Sequence, residues 1–279
     1  MGGAIAGILW SIGNAYWQTF YACMFCFGLE LIWPKGEGCT FGARLRGASF
    51  WFVNGALVVS FTTLFMMVLG RLHFPPLLTL DLGQLSVSSN PLLRTASPIV
   101  APVIAVMIGD FFAYWLHRSL HRVPALWRIH RLHHSVRELS AWTSYSHFAE
   151  GMLHAPFVAL PLAWLIHPEV GPASAIVMVI LGLQGFFQHA CTSIHLGPLR
   201  HLVSDNRFHR IHHSIDPEHH NRNFGNFTTV WDRVFGTAHF PEPDEWPDTG
   251  LADIPQPETL RDYALQPVLP AIVRSGAQA

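Results

Sequence analysis

Apolar residues in this chain are gathered into runs long enough to cross a lipid bilayer, which takes about 20 apolar residues in a helix. Three of these runs cover Ala4 to Trp33, Ala48 to Gly70 and Pro98 to about Leu116. A fourth region is a hairpin of two runs, Gly151 to Ile166 and Gly171 to about Ala190. The pattern predicts an all-α fold, a helical membrane bundle of about four to five spans.

The polar segments between and after these runs predict the rest of the organisation. Residues 72–97 contain several prolines and are expected to form a loop or a short interfacial segment. Residues 241–258 carry five prolines and several acids, which is typical of irregular structure. We therefore predict N-terminal spans over residues 1–97, a second domain of spans plus a helical cap over 98–240, and an irregular tail over 241–279.

Composition supports a membrane protein. Half of the 279 residues are hydrophobic and only 13% are charged, well below the usual quarter. If the loop after the first span is cytoplasmic, all of the 17 lysine and arginine residues except Arg71 and Arg94 lie on that side. This distribution obeys the positive-inside rule. Together with an arginine-rich, lysine-poor composition, it predicts a bacterial inner-membrane protein whose cap faces the cytoplasm.

Three histidine clusters carry the candidate chemistry. They are His117-x-x-x-His121, His130-x-x-His133-His134 and His209-x-x-His212-His213. These spacings stack imidazoles on one face of a helix. Eight histidines exceed what one mononuclear site uses, since zinc sites close at about four ligands. The clusters therefore predict a two-metal site in the cap, and imidazole suits Fe, Zn, Cu and Ni.

Two further features surround the first cluster. The third span runs directly into it, Pro124 is expected to end that helix, and a new amphipathic helix is expected to begin near Leu126. Asp110 shares a helix face with His117 and His121, at a depth where ionisable residues are costly. We predict that Asp110 accepts a hydrogen bond from a ligand imidazole or a site water; a polar helix–helix contact is the alternative.

Several stretches together resemble the fatty acid hydroxylase/sterol desaturase superfamily of integral-membrane non-heme di-iron enzymes. The resemblance covers about residues 98–237, and the matching stretches are Asp110–His121, Leu126–Ser135, Gln188–Ala190, Phe208–Ser214, Asn223–Gly225 and Trp231–Thr237. It implies a four-helix membrane core and a cytosolic histidine cap around two iron ions, which zinc could replace in isolated protein. It also implies use of O2 and externally supplied electrons to hydroxylate or desaturate a lipid, either a sterol, a fatty acyl chain or a related substrate.

The resemblance extends to further histidines. His189 is expected to be a ninth ligand, the alternative being an interfacial side chain that reaches towards the headgroups. His147 and Glu150 match a family segment written R-x-H-P-x-E, but Tyr145 and Phe148 replace its arginine and proline. We therefore expect His147 to support a ligand or to have a structural role; a direct metal ligand is the alternative. The remaining histidines match no cluster. His195, His201, His219 and His220 are interpreted as solvated cap residues, with a contribution to the site as the alternative. His73, His154, His167 and His239 are interpreted as histidines without a role in the site.

Electrons are expected from a separate ferredoxin or cytochrome with its reductase, because we find neither a dinucleotide-binding glycine motif nor a cysteine cluster for Fe–S. The basic face could dock such an acidic partner, or could only set topology and bind lipid headgroups. Nothing indicates nucleic-acid binding.

Two other functions remain open at this point. A membrane zinc hydrolase would require a carboxylate base beside its ligands, as in H-E-x-x-H, and none of the clusters contains one. A metal transporter or storage protein would require ionisable residues along a path through the spans. The choice of lipid, and of hydroxylation or desaturation, is left undetermined, as is any catalytic residue beyond the ligands.

Overall fold

The computed structural model describes residues 2–72, 80–167 and 172–267. Its helices are α1 (Gly2–Ile32), α2 (Phe41–Leu72), α3 (Pro91–Arg122), α4 (Pro124–His134), α5 (Phe148–His154), α6 (Leu160–Leu165), α7 (Pro172–Phe187), α8 (Asn206–His212), α9 (Val230–Val234) and α10 (Leu260–Leu265). A π-helical turn, Ala155–Ala159, joins α5 to α6. The described strands are the two-residue β1 (Leu80–Asp81) and β2 (Ile166–His167), which pair in parallel. The all-α prediction is confirmed.

Three helical segments of the described chain are long and apolar enough to cross a membrane: α2, α3 and the continuous segment Phe148–Leu165. They match the second, third and fourth predicted runs. Their outward faces carry large apolar side chains, such as Ile99, which is 72% exposed. Such surface is costly in water and suits lipid. The first and fifth predicted spans coincide with α1 and α7, and their membrane crossing stays a prediction.

The third span begins earlier than predicted. Asn90 caps α3 by accepting a hydrogen bond from the Leu92 backbone amide at 2.9 Å, and Pro91 occupies the first helical turn. Residues 91–97 are therefore helical, although the proline pattern predicts a loop. Pro98 and Pro102 lie inside the helix. An Asn-Pro pair is a helix start as readily as a turn, since proline needs no hydrogen-bond acceptor there.

The break after the first histidine cluster is confirmed. α3 ends at Arg122, Val123 is extended, and Pro124 opens α4. The chain therefore turns sharply between two helices that both carry histidines, and α3 and α4 pack against each other.

The C-terminal segment packs into the core rather than lying apart from it. Within the predicted irregular tail, α10 places Tyr263 in a buried cluster with Phe50 and Leu132. The Tyr263 and Phe50 rings stack with centroids 4.9 Å apart. Because Leu132 belongs to α4, this cluster fixes the helix that carries the second set of histidines.

One buried carboxylate links α1 to the cap. Glu30 accepts hydrogen bonds from the backbone amides of Ala141 at 3.2 Å and Cys191 at 3.0 Å, and it pairs with Arg44. Cys26 is fully buried in a small cluster with Ala141, as expected of a helix-packing residue. A charge that is paired and hydrogen-bonded in this way can be buried.

Candidate metal centre

The nine histidines predicted as ligands come together in two groups. The first group consists of His117, His121, His130, His134 and His212, and the second of His133, His189, His209 and His213. Within each group, one ring nitrogen from every residue lies within 4.8 Å of the others. Eight of the nine side chains are buried and His121 is half-buried. The geometry therefore provides two adjacent all-imidazole sites.

Helix geometry explains how the second and third clusters are divided. His133 and His134 are neighbours on α4, yet they contribute to different groups, and the same is true of His212 and His213. Successive residues of an α-helix point about 100° apart, so adjacent imidazoles cannot face one point. α4 and the end of α8 thus lie between the two groups, and each H-x-x-H-H sequence serves both.

Backbone carbonyls fix the tautomer of four of these histidines. The Nδ1 contacts are His117 to Phe224 O at 2.8 Å, His212 to Arg222 O at 2.8 Å, His133 to Tyr145 O at 3.0 Å and His189 to Gly185 O at 3.0 Å. A carbonyl oxygen can only accept, so Nδ1 must carry the hydrogen. Nε2 of each neutral ring then presents a lone pair to the centre of its group, as a metal ligand does.

The lone pairs face one another at short range. In the second group, His133 Nε2 and His189 Nε2 are 3.4 Å apart. In the first group, His117 Nε2 is 3.1 Å from His130 Nε2. Glu150 Oε2 lies 2.9 Å from His130 Nδ1, so a carboxylate stands on the far side of that ring from the group centre. Two buried lone pairs repel unless a cation lies between them, so both groups fit a bound metal.

Electrostatics keeps the cap imidazoles in the form that binds metal. Burial, reinforced for most of them by repulsion from neighbouring imidazoles, lowers the pKa of His130, His134, His209, His212 and His213 well below the ordinary histidine range. Burial also lowers the pKa of His133. These rings are neutral near pH 7, and metal binding requires the neutral ring.

Asp110 contacts backbone amides rather than an imidazole, and its predicted role as an acceptor for a site water stays a prediction. Its two carboxylate oxygens accept hydrogen bonds from the backbone amides of Phe227 at 2.8 Å and Thr228 at 3.1 Å. The side chain therefore anchors the loop after Asn223 to α3. That loop supplies the Phe224 carbonyl that orients His117. Asp110 thus acts on the site through the backbone of this loop.

Asp232 holds the same loop from the other side. Its oxygens accept from the backbone amides of Phe224 at 2.8 Å and Gly225 at 2.7 Å, and from the Thr237 hydroxyl at 2.6 Å. The carboxylate is fully buried. Sequence reasoning noted the Trp231–Thr237 stretch but gave Asp232 no role, since its partners are backbone groups that carry no sequence signal.

A cavity borders both histidine groups. It is lined by histidines from each group and by Ala113, Leu120, Glu150, His154, Gln188 and Asn226. Ala113 and Leu120 belong to α3 and Glu150 and His154 to α5, which are both parts of membrane-spanning segments. A molecule in this cavity would therefore meet the metal groups at the ends of the spans.

The other histidines have varied environments. His147 caps α5, with Nδ1 accepting from the Ala149 amide at 3.2 Å, and lies in neither group. His195 and His220 are exposed, and His201 packs against Phe240.

Some of these environments differ from expectation. His154, interpreted as ordinary, is buried on the cavity, and His219 and His239 meet at Glu245. His73 and the side chain of His167 lie outside the described residues.

Comparison with known proteins finds a family match over the histidine-bearing part of the chain. The family model described as fatty acid hydroxylase matches residues 102–237, the span that contains all nine histidines. Residues 102–237 form a fatty acid hydroxylase domain. The resemblance drawn from the three histidine clusters is thereby confirmed.

Named relatives match about half of the chain. The chain is 32% identical over 152 residues to ornithine lipid hydroxylase OlsE of Rhizobium tropici, covering 53% of this chain and 45% of that protein. It is 32% identical over 142 residues to alkylglycerol monooxygenase of Danio rerio, covering 51% and 31%. It is 29% identical over 150 residues to lathosterol oxidase of Mus musculus, covering 51% of this chain and 46% of that protein. The chain thus spans less than half the length of these relatives, and no solved structure matches it significantly.

Proposed function

We propose that this protein is an integral-membrane di-iron oxidoreductase that uses O2 and external electrons to hydroxylate or desaturate a lipid C–H bond. The observation that carries the proposal is the pair of all-imidazole groups on one cavity at the ends of α3 and α5. The names of the relatives add that this domain occurs in proteins that oxidise lipids.

The nine histidines are proposed as the ligands of two iron ions, five imidazoles to one and four to the other. Imidazole suits iron, and the Nε2 lone pairs converge within each group. Bound there, the irons would supply O2 activation strong enough to break an unactivated C–H bond. We find no buried carboxylate within either group that would serve a zinc hydrolase as its base; Glu150, the nearest described carboxylate, approaches Nδ1 of a ligand instead.

Residues of the chain position the substrate and keep water out. Ala113 and Leu120 give the cavity an apolar wall on α3, which suits a lipid chain. Gln188 and Asn226 also line the cavity, and the Gln188 side chain donates to the Asn226 carbonyl. The substrate would enter from the bilayer, because membrane-spanning helices supply the wall.

Glu150 is proposed to position His130 rather than to react. Its carboxylate lies 2.9 Å from Nδ1 of His130, and both side chains are buried. A carboxylate behind a ligand imidazole fixes the ring's orientation and raises its basicity.

The electron donor is proposed to be a separate ferredoxin or cytochrome with its reductase, docking on the face that carries the histidine helices. Arg122 and Arg128 are exposed on α3 and α4 close to the first group. A basic surface steers an acidic partner into place. By the positive-inside rule this face is cytoplasmic, which would place the protein in a bacterial inner membrane.

Elemental analysis and Mössbauer spectroscopy of the iron-loaded, detergent-purified protein test the proposal. Two magnetically coupled irons in the histidine groups, and oxidation of a lipid when O2, ferredoxin and its reductase are supplied, are the expected results. Label from ¹⁸O2 should enter the lipid if the product is an alcohol and appear only in water if it is an alkene. His133→Ala should remove iron and oxidation together, whereas His195→Ala, at an exposed histidine, should change neither. Zinc that resists exchange for iron, or full iron content in the His133 variant, would overturn it.

A further inference from the structure

A third cluster of ligand-type side chains lies outside the two histidine groups. His219, His239 and Glu245 bring one ligand atom each within 4.8 Å of the others, and we call them the outer group. His219 Nε2 is 3.0 Å from Glu245 Oε1, and His239 Nε2 is 3.9 Å from Oε2 of the same carboxylate. The two imidazole rings are 4.9 Å apart. Two imidazoles therefore converge on a single carboxylate.

The neighbours of His219 fix which of its nitrogens faces Glu245. Nδ1 lies 2.9 Å from the Ser214 hydroxyl oxygen. That hydroxyl donates to Asp216 Oδ2 at 3.3 Å and accepts from the Asp216 amide at 3.0 Å. When the hydroxyl hydrogen goes to Asp216, Nδ1 donates to Ser214. In a neutral ring, Nε2 then directs a lone pair at the Glu245 carboxylate, and two electron-rich atoms meet at 3.0 Å.

We propose that the outer group binds a divalent first-row transition-metal cation, of which Zn²⁺ is the best match. A cation between Nε2 of His219 and the Glu245 carboxylate removes the repulsion of the two atoms. Imidazole nitrogen and glutamate oxygen are ordinary zinc ligands, and three protein ligands leave one position for water. His219 is buried while His239 and Glu245 are half-buried, so the site can be reached from solvent.

The surroundings hold the ligands in place. Glu245 Oε2 accepts from the Glu242 backbone amide at 2.8 Å, which fixes the carboxylate from its own loop. The Glu242 carbonyl in turn accepts from the Arg207 side chain on α8. Next to Glu245, the Trp246 ring packs beneath the Arg210 guanidinium, 4.4 Å away. The loop that carries two of the three ligands is thus already docked on α8.

The position of the outer group indicates its role. Ser214, which orients His219, directly follows the third histidine cluster. A metal here would tie the turn after α8 to the loop of residues 239–245. An ion in that position would hold the end of α8, and with it two histidines of the main groups, in place.

Zinc titration of the full-length, iron-loaded protein in detergent tests the site. Bound zinc and iron per chain are measured by mass spectrometry after removal of free metal, alongside the thermal midpoint. We expect wild-type protein to bind one zinc ion per chain that His239→Ala and Glu245→Gln do not bind, with iron content unchanged. Zinc should raise the thermal midpoint of the wild type and leave that of the variants unmoved. His195→Ala, an exposed histidine outside every group, should behave as the wild type.

Equal zinc content in the wild type and in the His239 and Glu245 variants would overturn the proposal and leave a histidine–glutamate ion pair. The half-buried His239 is substituted first because loss of the buried His219 could disturb folding. The measured quantity is a difference between wild type and variant. It therefore tests the outer group whatever metal the two main groups hold, and failure of the di-iron proposal would show separately as missing iron.

Discussion

Replacing Asp232 with asparagine should loosen the loop that orients a ligand histidine. The Asp232 carboxylate accepts from the Phe224 amide with one oxygen and from the Gly225 amide with the other. The Phe224 carbonyl then accepts from His117 Nδ1 at 2.8 Å. In Asp232→Asn, either orientation of the side-chain amide sets its NH₂ group against a backbone N–H. One buried amide is left without an acceptor in both cases.

The size of the effect follows from this geometry. Leaving a buried donor unsatisfied costs about 1–3 kcal/mol, and a hydrogen bond to a charged group contributes about 1.5–3 kcal/mol. These contributions overlap, so we expect a loss of about 2–4 kcal/mol, or a fall of about 5–15 °C in the thermal midpoint. Loss of a group that orients a ligand typically weakens metal binding by about 10- to 100-fold.

The assay combines the thermal midpoint in detergent with iron retained against increasing chelator. Asp262→Asn is the matched control, because that carboxylate also accepts from a backbone amide, at 3.1 Å, but at the exposed start of α10. We expect the control to change stability by at most about 1 kcal/mol, because the asparagine oxygen can still accept from the Thr259 amide and only the charge at the exposed helix start is lost. A midpoint for Asp232→Asn equal to that of the control would refute the hydrogen-bond argument. A lowered midpoint with unchanged iron retention would refute the link through His117.

Three further predictions concern the same centre. Gly225→Ala should abolish metal retention, because a Cβ there would lie 2.1 Å from a backbone carbonyl oxygen. Gly182→Ala should be tolerated, because a Cβ at that position would have no atom within 4 Å. The measurement is the iron content of the two variants. Glu150→Gln should lower the rate of lipid oxidation more than the iron content, since the amide keeps a contact with His130 but loses the charge. The control Glu258→Gln, at an exposed residue, should change neither quantity. Equal losses of rate in the two variants would contradict the prediction. Stability of the metal-free protein should fall as the pH is lowered through about 6.5. Burial lowers the pKa of the cap histidines in the folded protein, so below that pH the unfolded chain binds protons that the folded chain does not. A thermal midpoint that rises on acidification would contradict this prediction.

The sequence alone determined the helical membrane architecture and the identity of the nine clustered histidines. A membrane span must satisfy its backbone internally and present apolar side chains to lipid, so its signal is local and continuous. α2, α3 and the Phe148–Leu165 segment were predictable for that reason. The start of α3 was not, because the Asn90-Pro91 pair is compatible with a turn as well as with a helix start.

The histidines were recognisable because their spacing on a helix repeats, but their division into two groups required the fold. Neighbours such as His133 and His134 separate only once α3, α8 and the end of α7 are placed around α4. Spacing along one helix states which side chains share a face, and it says nothing about which other helix that face meets.

Tertiary structure alone decided what surrounds the ligands. The carbonyls that fix the tautomers belong to residues without a sequence signal, such as Phe224, and Asp110 proved to bind backbone amides rather than imidazole. Glu150 reaches His130, and Glu245 meets His219, across loops whose path no local pattern specifies. Hydrogen bonds and ion pairs act over about 3 Å, so such partners become visible only when distant parts of the chain are brought together.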